Sequence, residues 1–486
     1  MEPMPSSSGH AQADGSTHTE ETVTSDSTSR GSRMKASLRF LGVDGAVGFA
    51  VLSRFWQLLT GPLTQLLIVL SFSKATQDYY YAFGNMLSMQ IFVELGFSVV
   101  LINLASHEWA HLKLVNGHIT GPENSVSRLI SLGRLMFRWY TVAAILFAVT
   151  VCAAGYFYFG DTSRWRAASG ISTESVNWSV PWISLVLVNA VQLWLLPRTA
   201  MLEACGQLST INRWRFWQSV LGSFIVWAMM SAGLGLWSLV ASAAVRTCGE
   251  YWLTFVIYRD FFVPFRNLQA TVSIPWKSEI LPLQWRMAVQ GSVMWFSSQM
   301  PGLILLRQAE GETGRLGMTM TILTALQSAS MAWIETRRPQ FGSLIARKEY
   351  DELDRQFYRM TRISMLLLTT AVLSFSLTVM WINTRSEWLF DRISGRLLPP
   401  LPTMIFSIAL IAYQFVMCSG IYVRAHRRDP YLLTTILSCL TIASLQFYLG
   451  RHYGTVGLAS GYAIGILVVQ FPLGWWIWRN ARRDWH

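Results

Sequence analysis

From residue 46 onward the chain is a succession of long apolar runs separated by short polar segments. Twelve runs stand out, at 46–72, 79–105, 135–158, 178–202, 216–232, 234–257, 287–306, 316–334, 363–383, 402–423, 431–449 and 455–478. A bilayer core of ~30 Å takes about 20 apolar helical residues, so each run is long enough to cross. The pattern predicts an all-α polytopic membrane protein with about 12 transmembrane helices, numbered spans 1 to 12. Residues 1–33 are the opposite: 13 Ser/Thr with Gly, His and acids, and almost nothing apolar. Such a segment buries too little surface to offset its ordering entropy and is expected to be disordered. It has no apolar core after a basic start, so it does not read as a cleaved signal peptide.

Charge turns the pattern into a topology. With the N-terminus in the cytoplasm, 26 of the 39 Lys/Arg fall in cytoplasmic segments and 9 in the opposite ones, while Arg54, Arg138, Arg198 and Arg246 lie inside spans. A positive-inside bias of this size predicts both termini cytoplasmic. The net charge of +12 then needs no nucleic-acid partner, because an anionic inner leaflet attracts it. Composition agrees: 52% hydrophobic and 14% charged, against about 25% charged in soluble chains. Several of the 22 Trp sit near span ends (Trp178, Trp182, Trp381, Trp475, Trp476, Trp478), where an aromatic belt or helix packing would place them. The five Cys have no paired spacing and suggest neither a disulfide framework nor a Cys-based metal site.

The chain also looks duplicated. Span 6 opens Gly233-Leu-Gly-Leu-Trp-Ser and span 12 follows Gly454-Thr-Val-Gly-Leu-Ala-Ser-Gly, both after a short turn and both rich in small residues. Span 2 is followed by a basic, helix-compatible segment to Arg134, and span 8 by another, Arg337 to Arg362. The expected organisation is a tail at 1–40, a six-helix lobe at 41–258, a cytoplasmic linker at 259–286, a second six-helix lobe at 287–480 and a tail at 481–486. Repeats of this kind characterise secondary transporters, in which substrate binds between the halves. In the segment after span 8, Pro339 closes the span. Leu344, Ile345, Tyr350, Leu353, Phe357 and Met360 then recur at helical spacing among charges, which reads as an amphipathic helix on the cytoplasmic face or as a plain solvated connector.

That proline and amphipathic stretch, together with Leu52-Ser-Arg-Phe-Trp-Gln, Tyr79-Tyr-Tyr-Ala-Phe-Gly, Phe92-Val-Glu-Leu-Gly-Phe and Tyr453-Gly-x-x-Gly-Leu-Ala, carry a family resemblance across residues 40–480. The chain resembles the lipid-linked oligosaccharide (polysaccharide/O-antigen) flippases of the multidrug/oligosaccharidyl-lipid/polysaccharide exporter superfamily. The resemblance implies two six-helix bundles around a central cavity that alternates between inward- and outward-open. It also implies a sugar chain on a polyprenyl pyrophosphate as substrate, a bacterial inner membrane as location, and a polysaccharide polymerase or glycosyltransferases as partners beside the membrane lipids. No enzyme activity and no cofactor are expected. A cation-coupled exporter of small amphipathic molecules, also found in the superfamily, is the competing transporter reading.

Charges inside spans cost at least ~2.5–3.5 kcal/mol at the bilayer centre and point to function. The candidate substrate-binding residues are Arg54, Gln57, Glu94, Arg198, Arg246, Glu250 and Arg286. An arginine fork matches phosphate oxygens bidentately. Arg246 and Glu250, one turn apart, are either part of the site or a static pair, while Arg198 and Glu203 lie near the cytoplasmic end of span 4. Arg54 has no neutralising neighbour within a turn and either faces a cavity, snorkels to the interface or pairs with Glu94. Gly61-Pro62 is a candidate hinge, because proline removes a backbone hydrogen bond and clashes with the preceding turn.

A rival chemistry stands at the end of span 2. His107-Glu108-Trp109-Ala110-His111 is a literal H-E-x-x-H, which on a helix would offer two imidazoles to Zn²⁺ and a Glu to activate water. A membrane metalloprotease built on it would need a third ligand. His118 and Glu123 lie nearby without recognisable spacing, and spans 3 to 12 would be unexplained.

Overall fold

The computed structural model describes residues 45–115, 117–170, 176–267, 280–426 and 430–485. The serine/threonine-rich tail, the middle of the linker at 268–279 and the last residue of the C-terminal tail lie outside these ranges. Every expected crossing falls on helix. Span 1 is Gly45–Ser71, span 3 Glu123–Ala168, span 4 Ser179–Ala204, span 5 Leu208–Ser231 and span 6 Trp237–Trp252. Span 8 is Glu312–Glu335, span 9 Tyr350–Ile382 and span 10 Pro400–Ala425.

Two crossings are interrupted, and two more are joined through a bend. Span 2 runs as Lys74–Leu87, Ile91–Glu94 and Phe97–Trp109, and it turns between the last two through Leu95 (φ 51°) and Gly96 (φ 72°). Span 7 is Leu281–Ser298 followed by Met300–Leu306. Spans 11 and 12 form one helical stretch, Tyr431–Ile464, bent at Gly454 (φ 57°), with Phe471–Trp485 completing span 12. Five described stretches are long and apolar enough to cross a membrane on length and composition alone, and one of them holds spans 11 and 12 together. Spans 2 and 6 fall short of this in length, since their longest α-helices have 14 and 16 residues. Non-helical backbone at membrane depth is tolerated where protein or a cavity surrounds it.

The segment after span 2 differs from the helix-compatible reading. It forms a two-stranded antiparallel hairpin, β1 (Lys113–Val115) and β2 (His118–Thr120), before span 3 begins at Glu123. Two residues, Asn116 and Gly117, separate the strands, and Gly117 takes φ 82°, as a tight hairpin loop of this length requires. The segment after span 8 forms two helices rather than one. Arg338–Arg347 ends at Lys348 in the left-handed region (φ 60°), and Tyr350 then starts the helix of span 9. Its apolar face is covered by protein: Phe357 packs on Tyr422 and Trp478 with ring centroids 4.7 and 5.7 Å apart.

Packing sorts by halves. Span 3 lies against span 4, span 5 against spans 1 and 6, and span 4 against span 6. Span 9 packs on spans 8 and 10, and span 10 on span 11. The first half is keyed by Phe83, Phe159 and Trp182, all fully buried. A Cβ on Gly155 would lie 2.2 Å from the Trp182 ring, so the indole fits only because that position is glycine. Within lipid such contacts stabilise by dispersion and shape rather than by expelling water. Outward-facing apolar side chains such as Val142, Ile145 and Val149 on span 3 and Leu366, Leu373 and Leu377 on span 9 give the helices a lipid-compatible surface.

The halves meet where span 2 approaches spans 7 and 8. A Cβ on Gly302, Gly314 or Gly317 would come within 2.0 Å of Asn85, 2.8 Å of Gln77 or 2.3 Å of Tyr81. Span 2 side chains therefore occupy the space that these glycines leave open, and the two backbones approach closely.

Candidate functional site

The two ends of the bundle differ in how the halves are joined. At the far end, which carries Phe72, Asp78, Arg166 and Gly311, the junction is buried and fully hydrogen-bonded. Ser73 starts span 2 as its cap, accepting from Thr76 N at 3.1 Å, and this places Asp78 against the start of span 8. Asp78 accepts from Gly311 N and Gly314 N, both at 2.7 Å, and from Arg166 at 2.8 Å. Arg166 also donates to Leu306 O (2.8 Å) and Ala309 O (3.3 Å). The pair is 0% and 3% exposed. Both partners belong to the first half, and both bind backbone of the second. Arg396, also buried, reaches back from the second half to Gln77 Oε1 (2.9 Å) and to Phe72 O. Arg392 adds bonds to Val69 O (2.8 Å) and Leu70 O (2.6 Å).

The near end, which carries Arg54, Glu335, Asp354 and Arg482, is joined more lightly. Arg54 meets Glu335 at 3.3 Å, and the two side chains are 64% and 42% exposed. Pairing with Glu94 is one of three readings that the sequence leaves open for Arg54, beside a cavity-facing and an interfacial one. Its actual partner is 281 positions away, at the end of span 8.

A polar cavity of about 520 Å³ lies within the first half. Span 5 lends it one helical face, Arg215, Gln218, Ser219, Gly222, Ser223 and Val226, at spacings of three and four residues. Span 1 contributes Gln57 and Thr64, span 4 Gln192 and Thr199, and span 6 Ser242, Arg246 and Glu250. Arg215 is held by Glu203 at 2.5 Å and approaches Glu250 at 3.8 Å. Glu250 thus faces Arg215 of another span as well as Arg246 one turn away on its own helix. Arg246 is solvent-exposed and forms no ion pair with any described residue. Glu250 is buried, and its Oε2 has no hydrogen-bond donor among the described residues. The cavity therefore offers one exposed guanidinium, a second one shared between carboxylates, the Glu250 carboxylate that both arginines offset, and a ring of hydroxyl and amide groups. That set suits a large, hydrated anion.

Of the residues singled out in the sequence, the structure brings together Gln57, Arg246 and Glu250. Arg198 is elsewhere: it donates to Trp194 O at 2.9 Å and lies over the rings of Trp194, Phe137 and Phe255 at 4.1, 4.8 and 5.2 Å, a cation–π box rather than a partner for Glu203. Glu94 ends the middle segment of span 2 and accepts from Ser98 Oγ at 2.5 Å and Gln90 Nε2 at 3.5 Å. Arg286 is exposed at the start of span 7, beside Trp285. Gly61-Pro62 does not interrupt span 1, whose helix continues from Gly45 to Ser71. The breaks fall instead at 95–96, 299 and 454. Arg215 was passed over because it reads as a loop cation; its signal was the small-and-polar stripe at helical period running from it through span 5.

A second cavity of about 410 Å³ lies between span 2 of the first half and spans 7, 8, 10, 11 and 12 of the second. No charged side chain lines it. Gln299, Gln327, Gln446, Thr321 and Thr324 share its wall with Tyr413, Tyr462 and Phe406.

The H-E-x-x-H segment does not form a metal centre. Its helix ends at Trp109, so His111 follows in a turn, and Glu108 is engaged by Arg128 at 2.8 Å. Among the described residues no group of three or more His, Cys, Asp or Glu side chains is placed to hold a metal ion.

No protein-family model matches the chain, and no curated protein matches it in sequence. Solved structures do. An inward-facing multidrug resistance MATE family transporter of the MOP superfamily superposes with a TM-score of 0.59 at 13% identity, over 87% of this chain and 95% of that one. The lipid II flippase MurJ, in an inward closed conformation, gives 0.58 at 12% identity over 90% of both chains. An outward-facing MATE family transporter gives 0.51 at 14% identity, over 91% of this chain and 96% of that one. At these identities the likeness is one of fold alone: the chain shares the helical architecture of these three solved structures.

Proposed function

We propose that the protein is a flippase that moves a polyprenyl-pyrophosphate-linked oligosaccharide from the cytoplasmic to the outer leaflet of a bacterial inner membrane, for cell-surface polysaccharide synthesis. The observation that carries this reading is the polar cavity with Arg246 exposed in it and Arg215 beside it. Diphosphate is a strong bidentate acceptor, and the many hydroxyls and amides around the arginines suit a sugar. The excess of Lys/Arg in alternate loops assigns the near end to the cytoplasm. On that assignment the cavity serves the side where such lipids are made, and the buried junction closes the outer side. The halves 41–258 and 287–480 would rock about the linker 259–286, exchanging the far-end junction for a near-end one. A polymerase or glycosyltransferases beside the membrane would use or supply the lipid.

The competing reading, export of small amphipathic molecules, draws support from the second, uncharged and aromatic cavity. Cells depleted of the protein separate the two. Accumulation of sugar-lipid in the cytoplasmic leaflet, restored by the parent protein but not by a folded Arg246→Ala variant, is the flippase outcome. Normal surface polysaccharide together with a lost efflux of cationic dyes would reverse the assignment.

A further inference from the structure

We infer that a groove on the outer face of spans 5 and 6 seats the isoprenoid chain of the same lipid whose diphosphate enters the polar cavity. This rests on the flippase reading and adds a second subsite to it. About 550 Å³ of space lies between these two helices, lined by Trp214, Trp217, Leu221, Val245, Cys248 and Trp252. Trp217, Leu221 and Trp252 are each more than half exposed, so the groove opens sideways, where lipid would lie. Trp214 has its one polar atom satisfied, donating to Gly249 O at 2.9 Å, and the rest of its indole is apolar.

What distinguishes this groove from an ordinary lipid-facing surface is its back wall. Gln218 is the single residue that lines both the groove and the polar cavity. Its side chain lies across Gly249, leaving no room for a Cβ there, and its amide oxygen accepts from Glu250 N at 3.2 Å and from Trp214 Nε1 at 2.9 Å. The two spaces are thus separated by one amide, which rests on a glycine and is held by two hydrogen bonds that a swing of the side chain would break. Both sit toward the near end of spans 5 and 6, at the same depth. Arg215 and Arg246 stand on one side of Gln218 and three tryptophans on the other. An amphipathic molecule with an anionic head and an apolar tail matches that order of groups, and a swing of Gln218 off Gly249 joins the two compartments.

Moving a lipid tail from bilayer to groove exchanges one apolar medium for another, so expulsion of water adds little. The groove's contribution is registration: the tail stays in the lipid phase at a fixed place while the head is held by arginine. Selectivity for a stiff, branched chain would come from the rigid indole faces, through contact geometry.

The test is photo-crosslinking in reconstituted vesicles that contain phosphatidylglycerol and a minor fraction of polyprenyl-diphosphate oligosaccharide. Trp217→p-benzoylphenylalanine reports on the groove, and Leu366→p-benzoylphenylalanine, on the lipid face of span 9, reports on bulk lipid. The expected result is a polyprenyl adduct at position 217 well above the lipid's mole fraction, with only mole-fraction labelling at 366. In an Arg215→Gln/Arg246→Gln background the adduct at 217 should fall roughly tenfold or more, because the head is no longer held by charge-assisted bonds. Melting temperature and unchanged labelling at 366 establish that this background is folded. Equal polyprenyl labelling at 217 and 366 overturns the groove. If native mass spectrometry nevertheless finds the sugar-lipid bound to the parent protein, the flippase reading survives and only the tail site is lost. If no sugar-lipid is bound at all, both fail together. Phosphatidylglycerol adducts dominating at 217 would mark the groove as an ordinary annular lipid site and would also overturn the inference.

Discussion

Replacing Asp78 by asparagine should open the far end of the protein. Asp78 is 0% exposed and receives three hydrogen bonds of 2.7–2.8 Å, two from the backbone at the start of span 8 and one from Arg166. The asparagine oxygen replaces at most part of this set, and its amide hydrogens point donors at donors. Arg166, only 3% exposed, loses its counter-charge. Removing one partner of a buried pair costs about 3–5 kcal/mol. That cost falls on the closed arrangement alone, because on opening both groups reach water and the second half takes its amides away. Taking ~3 kcal/mol, at tenfold per 1.4 kcal/mol, the closed-to-open equilibrium shifts roughly 100- to 200-fold. The assay is labelling of a cysteine behind the junction, Thr321→Cys in the second cavity, by a membrane-impermeant maleimide applied outside cells. Cys248 is the one exposed native thiol and is first changed to serine. Labelling should accelerate by up to the same factor until the open form dominates. Arg166→Gln should act in the same direction. The double variant should recover part of the slow labelling, since no lone charge is then buried. A folded Asp78→Asn protein that labels as slowly as its parent would refute the reasoning.

Other outcomes follow from the same contacts. Gly317→Val places a branched side chain where Tyr81 sits, since even a Cβ would lie 2.3 Å from its ring; it should speed external labelling of the same reporter and lower the melting temperature. Arg54→Ala removes an ion pair that is largely exposed, worth about 0.2–1 kcal/mol, so the melting temperature should hardly move and sugar-lipid transport should change by no more than about fivefold. Tenfold loss of transport in that folded variant would return Arg54 to the site. Glu108→Gln loses the contact to Arg128 and should leave transport intact; stoichiometric zinc in the purified protein would contradict this.

The crossings were legible because a bilayer imposes length and polarity on every span at once, and a run such as 402–423 satisfies both without any knowledge of its neighbours. The break in span 2 was not legible. Glu94-Leu-Gly-Phe reads as continuous helix, and what sets Leu95 and Gly96 left-handed is tertiary: Gly96 lies against Met287 of span 7, with 2.7 Å to a would-be Cβ. The same contrast runs through the site. Arg246 and Glu250 stand out as charges within an apolar run. Glu250 also faces Arg215 on a different span, and the partner of Arg54 is Glu335 from the other half. Searching within one turn of a helix cannot find either. Arg198 was conspicuous for its charge, but the groups that satisfy it are aromatic rings from spans 3, 4 and 6, which carry no charge to match.

The most direct test of the central claim is turnover of a fluorescent polyprenyl-diphosphate oligosaccharide in proteoliposomes, read by the fraction that becomes accessible to a reagent outside the vesicles. The parent protein should equilibrate the lipid between leaflets, and Arg215→Gln/Arg246→Gln should abolish this while its melting temperature shows it folded. Turnover by the double variant at the parent's rate, or none by the parent while it exports a cationic dye, would contradict the account.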